Sequence, residues 1–530
     1  MLDEITERRP YNAVADFVDA NVVRGLGDKL AFVDPDRSLT YGELQSRSIR
    51  FSNSLRALGL EQEDRIALLL HDTVDYPVAF WGAIRAGIVA IPLNTYLNSA
   101  QYTYILADSR ATALVAAAPL AQDIWPAIAR LPHLKNVILV GKHKQASLPG
   151  CDVRSFEDLL ANASDEPLTA DTVSDEVAFW LYTSGSTGDP KGVKHVHSSL
   201  VATAKLFGQG ILGISENDVV HSASKLFFAY GLGNAMTFPL SVGATAALWP
   251  HRPSPEGVFE MMRKYRPTIF YGVPSLYTAL LADKNICKGA GSDRLRLCVS
   301  AGEALPAHIG EHWRNTVGVD VLDGIGSTEL LQTFLSNRPG DIRYGSTGKS
   351  VPGYDTKIVD ENGRELGVDE IGELIVRGPS AGEGYWNQRA KSRHTFCGEW
   401  TYTGDKYRCD KDGYYYYCGR TDDMFKVSGM WVSPFDVEAA LTSHEAVLEA
   451  AVIGKEDADG LIKPKAFIVL RNGFAADDGL FEKLKSHVKE KAGPWKFPRW
   501  IELRSDLPRT ATGKIQRFKL REEDLRTTGR

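Results

Sequence analysis

Arg65-Ile-Ala-Leu-Leu-Leu70 is a short apolar run, a helical pattern covers Tyr76 to Ala86, and Val89-Ala-Ile-Pro-Leu93 is a second apolar run. A strand buried on both faces reads as a continuous apolar stretch, and two such strands joined through a helix lie parallel. The rhythm returns at Thr112 to Ala117, Asn136 to Val140, Val219 to Ser222, Ile269 to Val273 and Leu295 to Ser300. The expected class is therefore α/β, with layered, largely parallel sheets. After about Ser336 the pattern changes. Asn337 to Ala381 is Gly-rich with short alternating segments (Tyr354 to Val359, Gly372 to Arg377), which predicts a small antiparallel, barrel-like β region. The last hundred residues predict a small α+β unit. Glu449 to Ile453 and Ala466 to Leu470 read as strands, and Leu480, Leu484 and Val488 share one helix face. Ser433-Pro434 supplies the N-cap and first-turn proline of a helix from about Phe435. The charged segment Gly419-Arg-Thr-Asp-Asp423 marks the boundary between the two units.

A chain of 530 residues exceeds the roughly 250–300 that one core sustains, so at least two domains are required. Lys and Arg number 61 against 67 Asp and Glu, for a net charge of −6. That balance lacks the basic field of a duplex-binding protein and excludes nucleic acid as a partner. The six cysteines (Cys151, Cys287, Cys298, Cys397, Cys409, Cys418) form no CxxC pair and read as reduced thiols. Cys409 and Cys418 lack the further His or Cys that would complete a zinc site. Met1 to Pro10 has no apolar segment after a basic start, and no run reaches the ~20 apolar residues of a membrane span. The expectation is a cytoplasmic protein, monomer or homodimer, with no membrane partner.

Tyr182-Thr-Ser-Gly-Ser-Thr-Gly-Asp-Pro-Lys-Gly-Val193 carries the strongest chemical signal, and the apolar strand Val177 to Leu181 runs into it. The hydroxyls of Thr183, Ser184, Ser186 and Thr187, the backbone at Gly185 and Gly188, and the Lys191 ammonium can all face a polyphosphate. The plain alternative for such composition is a flexible surface loop; the strand and the lysine weigh against it. It is not a Walker loop, since Gly192 follows Lys191 and the glycine spacing differs. Three other motif-like strings carry nothing. Gly345-Ser-Thr-Gly-Lys-Ser350 has Arg343 where a Walker loop needs its first glycine, and reads as a turn. Gly208-Gln-Gly-Ile-Leu-Gly213 follows a helical pattern instead of a strand. Gly378-Pro-Ser-Ala-Gly382 is followed by Glu383-Gly-Tyr-Trp-Asn387, which opens no helix. His195 and His197, two positions apart on what reads as a loop, are assigned to packing and capping.

Tyr182 to Val193 resembles the phosphate loop of the acyl- and aryl-adenylate-forming superfamily: acyl-CoA synthetases, peptide-synthetase adenylation domains and firefly luciferase. Further segments resemble the family's motifs in the same order: Ser300-Ala-Gly-Glu-Ala-Leu-Pro306, Gly324-Ile-Gly-Ser-Thr-Glu329, Tyr402-Thr-Gly-Asp405, Gly419 to Gly429, and Pro508-Arg-Thr-Ala-Thr-Gly-Lys514. Lys225-Leu-Phe-Phe-Ala-Tyr-Gly-Leu-Gly-Asn234 and Phe334-Leu-Ser-Asn-Arg-Pro-Gly340 look most like benzoate-type aryl-CoA ligases.

The resemblance implies two half-reactions, with ATP, Mg2+ and coenzyme A as reactants or cofactors. A carboxylate attacks the α-phosphate of ATP, giving an acyl-adenylate and pyrophosphate; the thiol of coenzyme A then displaces AMP. Carried over residue by residue, Lys514 bridges carboxylate and α-phosphate, Lys191 and Thr328 meet phosphates, and Glu329 is the Mg2+-associated carboxylate. Asp405 accepts from the ribose hydroxyls, with Arg420 beside it. Gly302, Glu303 and Ala304, with Asp323, Gly324, Ile325 and Gly326, line the adenine. Ile325 stands where the family usually has an aromatic, which removes a ring-stacking contact worth about 0.5–1.5 kcal/mol. Asp422 aligns with the family's hinge, which implies a large unit over 1–421 and a small one over 422–530; rotation there swings Lys514 out and brings in Lys426, Gly429 and Trp431 to line the pantetheine tunnel.

Phe228, Ala229, Tyr230, Gly233, Ala301, Leu330, Gln332 and Thr333 are the expected walls of the acid pocket, suited to a flat ring. Gln332-Thr333 replaces the His-Ile usual in benzoate ligases, so a polar rim is expected, favouring a hydroxyl or amino group on the ring. The implied substrate is benzoate or 4-hydroxybenzoate, in aromatic-acid degradation. The alternatives are another acid (2-aminobenzoate, cyclohexanecarboxylate), the loading of a carrier-protein thiol, or a nucleotide-binding scaffold without chemistry.

Overall fold

In the apolar runs, burial on both faces makes each run a central strand, and the computed structural model contains two large sheets built this way. It describes residues 7–142, 148, 150–183, 189–421, 423–427, 430–457, 460–474, 476–509 and 515–527. Ser184, Gly185, Ser186, Thr187, Gly188, Asp422, Gly429 and Lys514 lie outside the described residues.

The first sheet orders seven strands as Asp152–Ser155, Asn136–Val140, Ala113–Ala117, Arg65–Leu69, Val89–Pro92, Val177–Thr183 and Lys191–Val196. Every neighbouring pair is parallel except the last, which is an antiparallel hairpin. Helix Asp75–Arg85 is buried along its whole length. Its charges are tolerated because they are paired. Asp75 accepts from Arg37 Nη1 and Arg47 Nη2, each at 3.1 Å, and Arg85 Nη1 donates to Asp19 Oδ2 at 3.1 Å.

The second sheet orders nine strands as Lys349–Ser350, Thr333–Ser336, Val321–Gly326, Leu297–Ser300, Ile269–Gly272, Val219–Ser222, Thr245–Ala247, Leu30–Val33 and Ser38–Thr40. Its centre is parallel and its two margins antiparallel. A largely antiparallel five-stranded sheet follows, containing Asp355–Val359, Gly372–Arg377, Phe396–Cys397, Trp400–Cys409 and Tyr415–Arg420.

The C-terminal segment folds around Val447–Glu456, Ile462–Leu470 and Trp500–Leu503. Alternation along the strands feeds two faces. Ala450 and Val452 pack with Val437, Leu441, Leu484 and Val488, which come from helices Pro434–Thr442 and Asp478–Ala492. Ala451 and Ile453 pack with Leu520 of helix Arg517–Thr527. Ser433 caps Pro434–Thr442, accepting from Asp436 N at 3.1 Å. The α/β class expected from the sequence, with its antiparallel β region and small C-terminal unit, is what the structure contains.

Two local readings need correcting. Lys191 to Val193, the end of the segment that resembles the phosphate loop, belong to a strand paired with Val177–Thr183, while residues 184–188 lie outside the described residues. His195 is on that strand and His197 opens helix His197–Thr203; neither is on a loop. The reading of packing and capping holds for both. Among the described residues no helix is long and apolar enough to cross a membrane, and no group of three or more His, Cys, Asp or Glu is placed to hold a metal.

Candidate active site

Parallel strands deliver their C-terminal ends to one edge, where loops carry the chemistry. Leu297–Ser300 and Val321–Gly326 pair with Ser300 opposite Asp323, so Ala301 to Ala304, which follow the first strand, begin beside the Gly324 to Gly326 end of the second. Gly302 has φ +95°, a region L side chains rarely enter. Asp323 is buried, and burial pushes its carboxyl well above its ordinary value, although the N–H groups of Leu305 and Gly324 offset part of that. Ile325 packs against the main core.

The turn carrying Thr328 and Glu329 joins Val321–Gly326 to Thr333–Ser336. Leu331 adopts φ +65° within it. Three successive carbonyls hold the turn in place. Thr328 O accepts from His195 Nε2 at 2.8 Å, Glu329 O from Gly382 N at 2.8 Å, and Leu330 O from Ser380 Oγ at 2.7 Å. Since a carbonyl only accepts, His195 carries its proton on Nε2; burial holds its pKa down at about 4, so the ring is neutral. Ser380, the serine of the G-x-S-x-G string, is fully buried and structural.

Facing the turn, Lys191 begins the second strand of the hairpin. Burial lowers its ammonium below the ordinary value, while the Glu329 carboxylate acts in the opposite direction. Tyr385 joins the two: its hydroxyl donates to Glu329 Oε1 at 2.7 Å, and its ring centroid lies 4.1 Å from Lys191 Nζ. Burial raises the phenol pKa, as does the Glu329 charge, so Tyr385 stays a donor. Nothing in the local sequence announces this tyrosine; only the fold brings it to residue 329.

Asp405 and Arg420 sit opposite each other on Trp400–Cys409 and Tyr415–Arg420. Arg420 Nη1 donates to Asp405 Oδ1 at 3.1 Å and to Thr403 O at 3.3 Å. The charge of Asp405 is the main cause of the raised Arg420 pKa.

Of the expected pocket walls, Ala229, Tyr230, Gly233 and Thr333 meet at the Gln332 side chain. Its Nε2 donates to Ala229 O at 3.3 Å and Tyr230 O at 3.1 Å, and its Oε1 accepts from Thr333 N at 3.0 Å and Thr333 Oγ1 at 2.9 Å. All four of the amide's bonds are therefore made within the protein. A Cβ at Gly233 would fall 2.1 Å from Gln332 Nε2. Tyr230 donates to Val299 O at 3.1 Å, tying the segment to strand Leu297–Ser300. Phe228, Ala229 and Tyr230 are half-buried, while Ala301, Leu330 and Thr333 are buried. Buried Lys225 anchors the start of the segment, 3.9 Å from Asp72 and bonded to Trp249 O.

In the C-terminal unit, Lys426 and Trp431 face each other across the hairpin Phe425–Val427 and Met430–Val432, with Lys426 Nζ 4.7 Å from the indole. Trp431 lines a cavity of about 200 Å³ with Asp360, Gly372 and Lys406.

Residues 19–386 match the AMP-binding enzyme family, and residues 436–514 match the AMP-binding enzyme C-terminal domain. A 4-hydroxybenzoate–CoA/benzoate–CoA ligase of Rhodopseudomonas palustris is 54% identical over 98% of this chain and 95% of its own. The crystal structure of a benzoate CoA ligase from Burkholderia xenovorans LB400 matches with a TM-score of 0.88 at 47% identity, covering 96% of this chain and 100% of that one. The anthranilate CoA ligase AuaEII in complex with anthranoyl-AMP matches with a TM-score of 0.93 at 40% identity, covering 98% of both chains. The order of the motifs, the pinned Thr328–Glu329 turn and these likenesses agree: the chain belongs to the AMP-binding enzyme family.

Proposed function

We propose that this chain is an AMP-forming aryl-CoA ligase acting on benzoate or 4-hydroxybenzoate. The observation that carries the reading is 54% identity, over 98% of the chain, to a ligase named for those two acids. The site geometry is what such an enzyme needs. A carboxylate is a poor electrophile; joining it to AMP supplies a good leaving group. Fixed positive charge at the phosphates stabilises the charge that develops in that step. Lys191, at the start of strand Lys191–Val196, and Lys514, outside the described residues, are assigned that work, with Thr328 offering a hydroxyl to the phosphates. Asp405 and Arg420 are assigned to the ribose, and Gly302 to Ala304 with Asp323 to Gly326 to the adenine.

Magnesium takes one or two carboxylates plus substrate phosphates and keeps several waters. Glu329, a single carboxylate with Oε1 held by Tyr385, fits that donor set. The ion would supply charge neutralisation at the phosphate oxygens.

Phe228, Tyr230, Gly233, Ala301, Leu330 and Thr333 would enclose the ring, with Ala229 and Gln332 supporting them. Because Gln332's bonds are all internal, the polar rim reduces to Thr333 Oγ1, which donates to Gln332 and can still accept from a ring hydroxyl. The thiolate fraction of coenzyme A is small near neutrality at a pKa of ~8.5, so the second step depends on positioning along Lys426, Gly429 and Trp431. The units 1–421 and 422–530 would turn about Asp422 between the steps.

A panel of benzoate, 4-hydroxybenzoate, 2-aminobenzoate, cyclohexanecarboxylate and aliphatic acids, assayed for ATP- and coenzyme A-dependent AMP release, tests the reading. The highest kcat/KM is expected for the first two. A preference for an aliphatic acid, or thioester formed only on a carrier protein, would sink it.

A further inference from the structure

Tyr385 belongs to none of the segments assigned to chemistry. It lies on a stretch that runs along the outer edge of Lys191–Val196. Glu383 N donates to Lys194 O at 2.9 Å, Lys194 N to Gly384 O at 3.1 Å, and Trp386 N to Gly192 O at 2.8 Å, with Val193 and Tyr385 paired. The side chain is fixed from the other side as well. Tyr385 N donates to Ser392 Oγ at 2.9 Å, and the ring meets Phe396 edge-on at 5.4 Å. Next to it, the Trp386 ring packs at a tilt against Trp180, 4.6 Å between centroids, and its indole N–H donates to Asp108 O at 2.9 Å, which anchors the whole stretch.

That rigidity serves two opposite charges. An ammonium and a carboxylate in a partly desolvated pocket attract each other strongly, and a direct pair would turn both away from a ligand. Tyr385 engages each without neutralising it. Its hydroxyl occupies Oε1 of Glu329, and its ring face attracts the Lys191 ammonium through the quadrupole, which requires none of the three N–H donors. We infer that Tyr385 is a positioning residue for the nucleotide step: it aims the Glu329 carboxylate at a nucleotide-bound divalent cation, aims Lys191 at the phosphates, and keeps the two from pairing. The inference rests on the proposed roles of Glu329 and Lys191.

The test uses the full chain and three variants: Tyr385→Phe, which removes only the hydroxyl; Tyr385→Leu, which also removes the ring face; and Glu329→Gln as reference. Calorimetry measures the Kd of Mg-ATP, and of ATP in EDTA, without acid present; unfolding temperatures are taken alongside. Removing the partner of a metal-associated group weakens metal affinity by about 10–100-fold. Tyr385→Phe is expected to weaken Mg-ATP by about that factor while leaving metal-free ATP and the unfolding temperature near the parent's. Tyr385→Leu is expected to weaken both nucleotide forms, as Lys191 swings to Glu329. The inference is overturned if Tyr385→Phe binds Mg-ATP like the parent while Glu329→Gln does not. It is overturned equally if both forms weaken in step with a fall in unfolding temperature, the mark of a packing role. Normal Mg-ATP binding by Glu329→Gln would instead remove the assigned role of Glu329, and the inference with it.

Discussion

Gly233 has no room for a side chain: a Cβ there would fall 2.1 Å from Gln332 Nε2 and 2.9 Å from Phe238 Cζ. A methyl there must displace the Gln332 amide, whose bonds to Ala229 O and Tyr230 O hold the wall in shape. Overpacking of this kind costs about 1–3 kcal/mol. Gly233→Ala should therefore raise KM for the aromatic acid by about tenfold, since ~1.4 kcal/mol is one decade, with KM for ATP unchanged. Steady-state kinetics with each substrate varied checks this, and an equal rise in both would take Gly233 out of the acid pocket. Lys514 belongs to the same scale. Lys514→Ala should lower ATP–pyrophosphate exchange by about 10²–10³-fold, as loss of one charge-stabilising donor does. Thioester formation from supplied acyl-adenylate should continue. Equal loss of both half-reactions would defeat its assignment to the first step.

At the scale of elements, the helix that follows Lys514 is fastened to the residue that follows Asp422. Arg521 Nη1 donates to Asp423 Oδ1 at 2.7 Å, while Arg517 reaches Asp423 at 3.5 Å and pairs with buried Glu438 through two bonds of 3.0 and 2.7 Å. Rotation at 422 would thus carry helix Arg517–Thr527 together with Asp423 and Glu438 as one body. Proline fixes φ near −65° and restricts the residue before it. Asp422→Pro should retain pyrophosphate exchange and slow overall thioester formation by at least about tenfold, comparable with other hinge lesions that change kcat. Unchanged turnover would refute a hinge there. The parallel strands were legible in the sequence because burial on both faces leaves no polar alternation to confuse them. The braces of the Thr328–Glu329 turn were not. His195 stands 133 residues from Thr328 and Ser380 stands 50 from Leu330, so no local pattern links donor and acceptor. Nor were the bonds of Gln332 legible, since they appear only once Ala229 and Tyr230 are folded against it.

For the whole molecule, buried neutral imidazoles set an acid limit. Burial holds His197 and His221 at a pKa of about 4, against 6.5 in the unfolded chain. His197 Nδ1 accepts from Ala13 N at 3.2 Å, and His221 Nδ1 bonds Ala247 O at 2.9 Å. Below about pH 6.5 the unfolded chain takes up protons that the folded chain refuses until about pH 4. Stability is therefore complete above that window and falls as pH drops through it. Unfolding temperatures measured from pH 7.5 to 4.5 should decline, with a shallower slope for His221→Gln; a flat profile would contradict the assignment.

The nine-stranded sheet also imposes an order in time. Thr245 donates to Leu30 O across 215 residues of sequence, and Leu30–Val33 lies beside Thr245–Ala247. At the ~5–20 residues per second of ribosomal synthesis, strand Leu30–Val33 is made about 10–40 s before its neighbour exists. Throughout that interval its apolar edge needs a temporary cover, from a chaperone or from the growing first sheet. Damage to that strand is then felt late, when the second sheet tries to close.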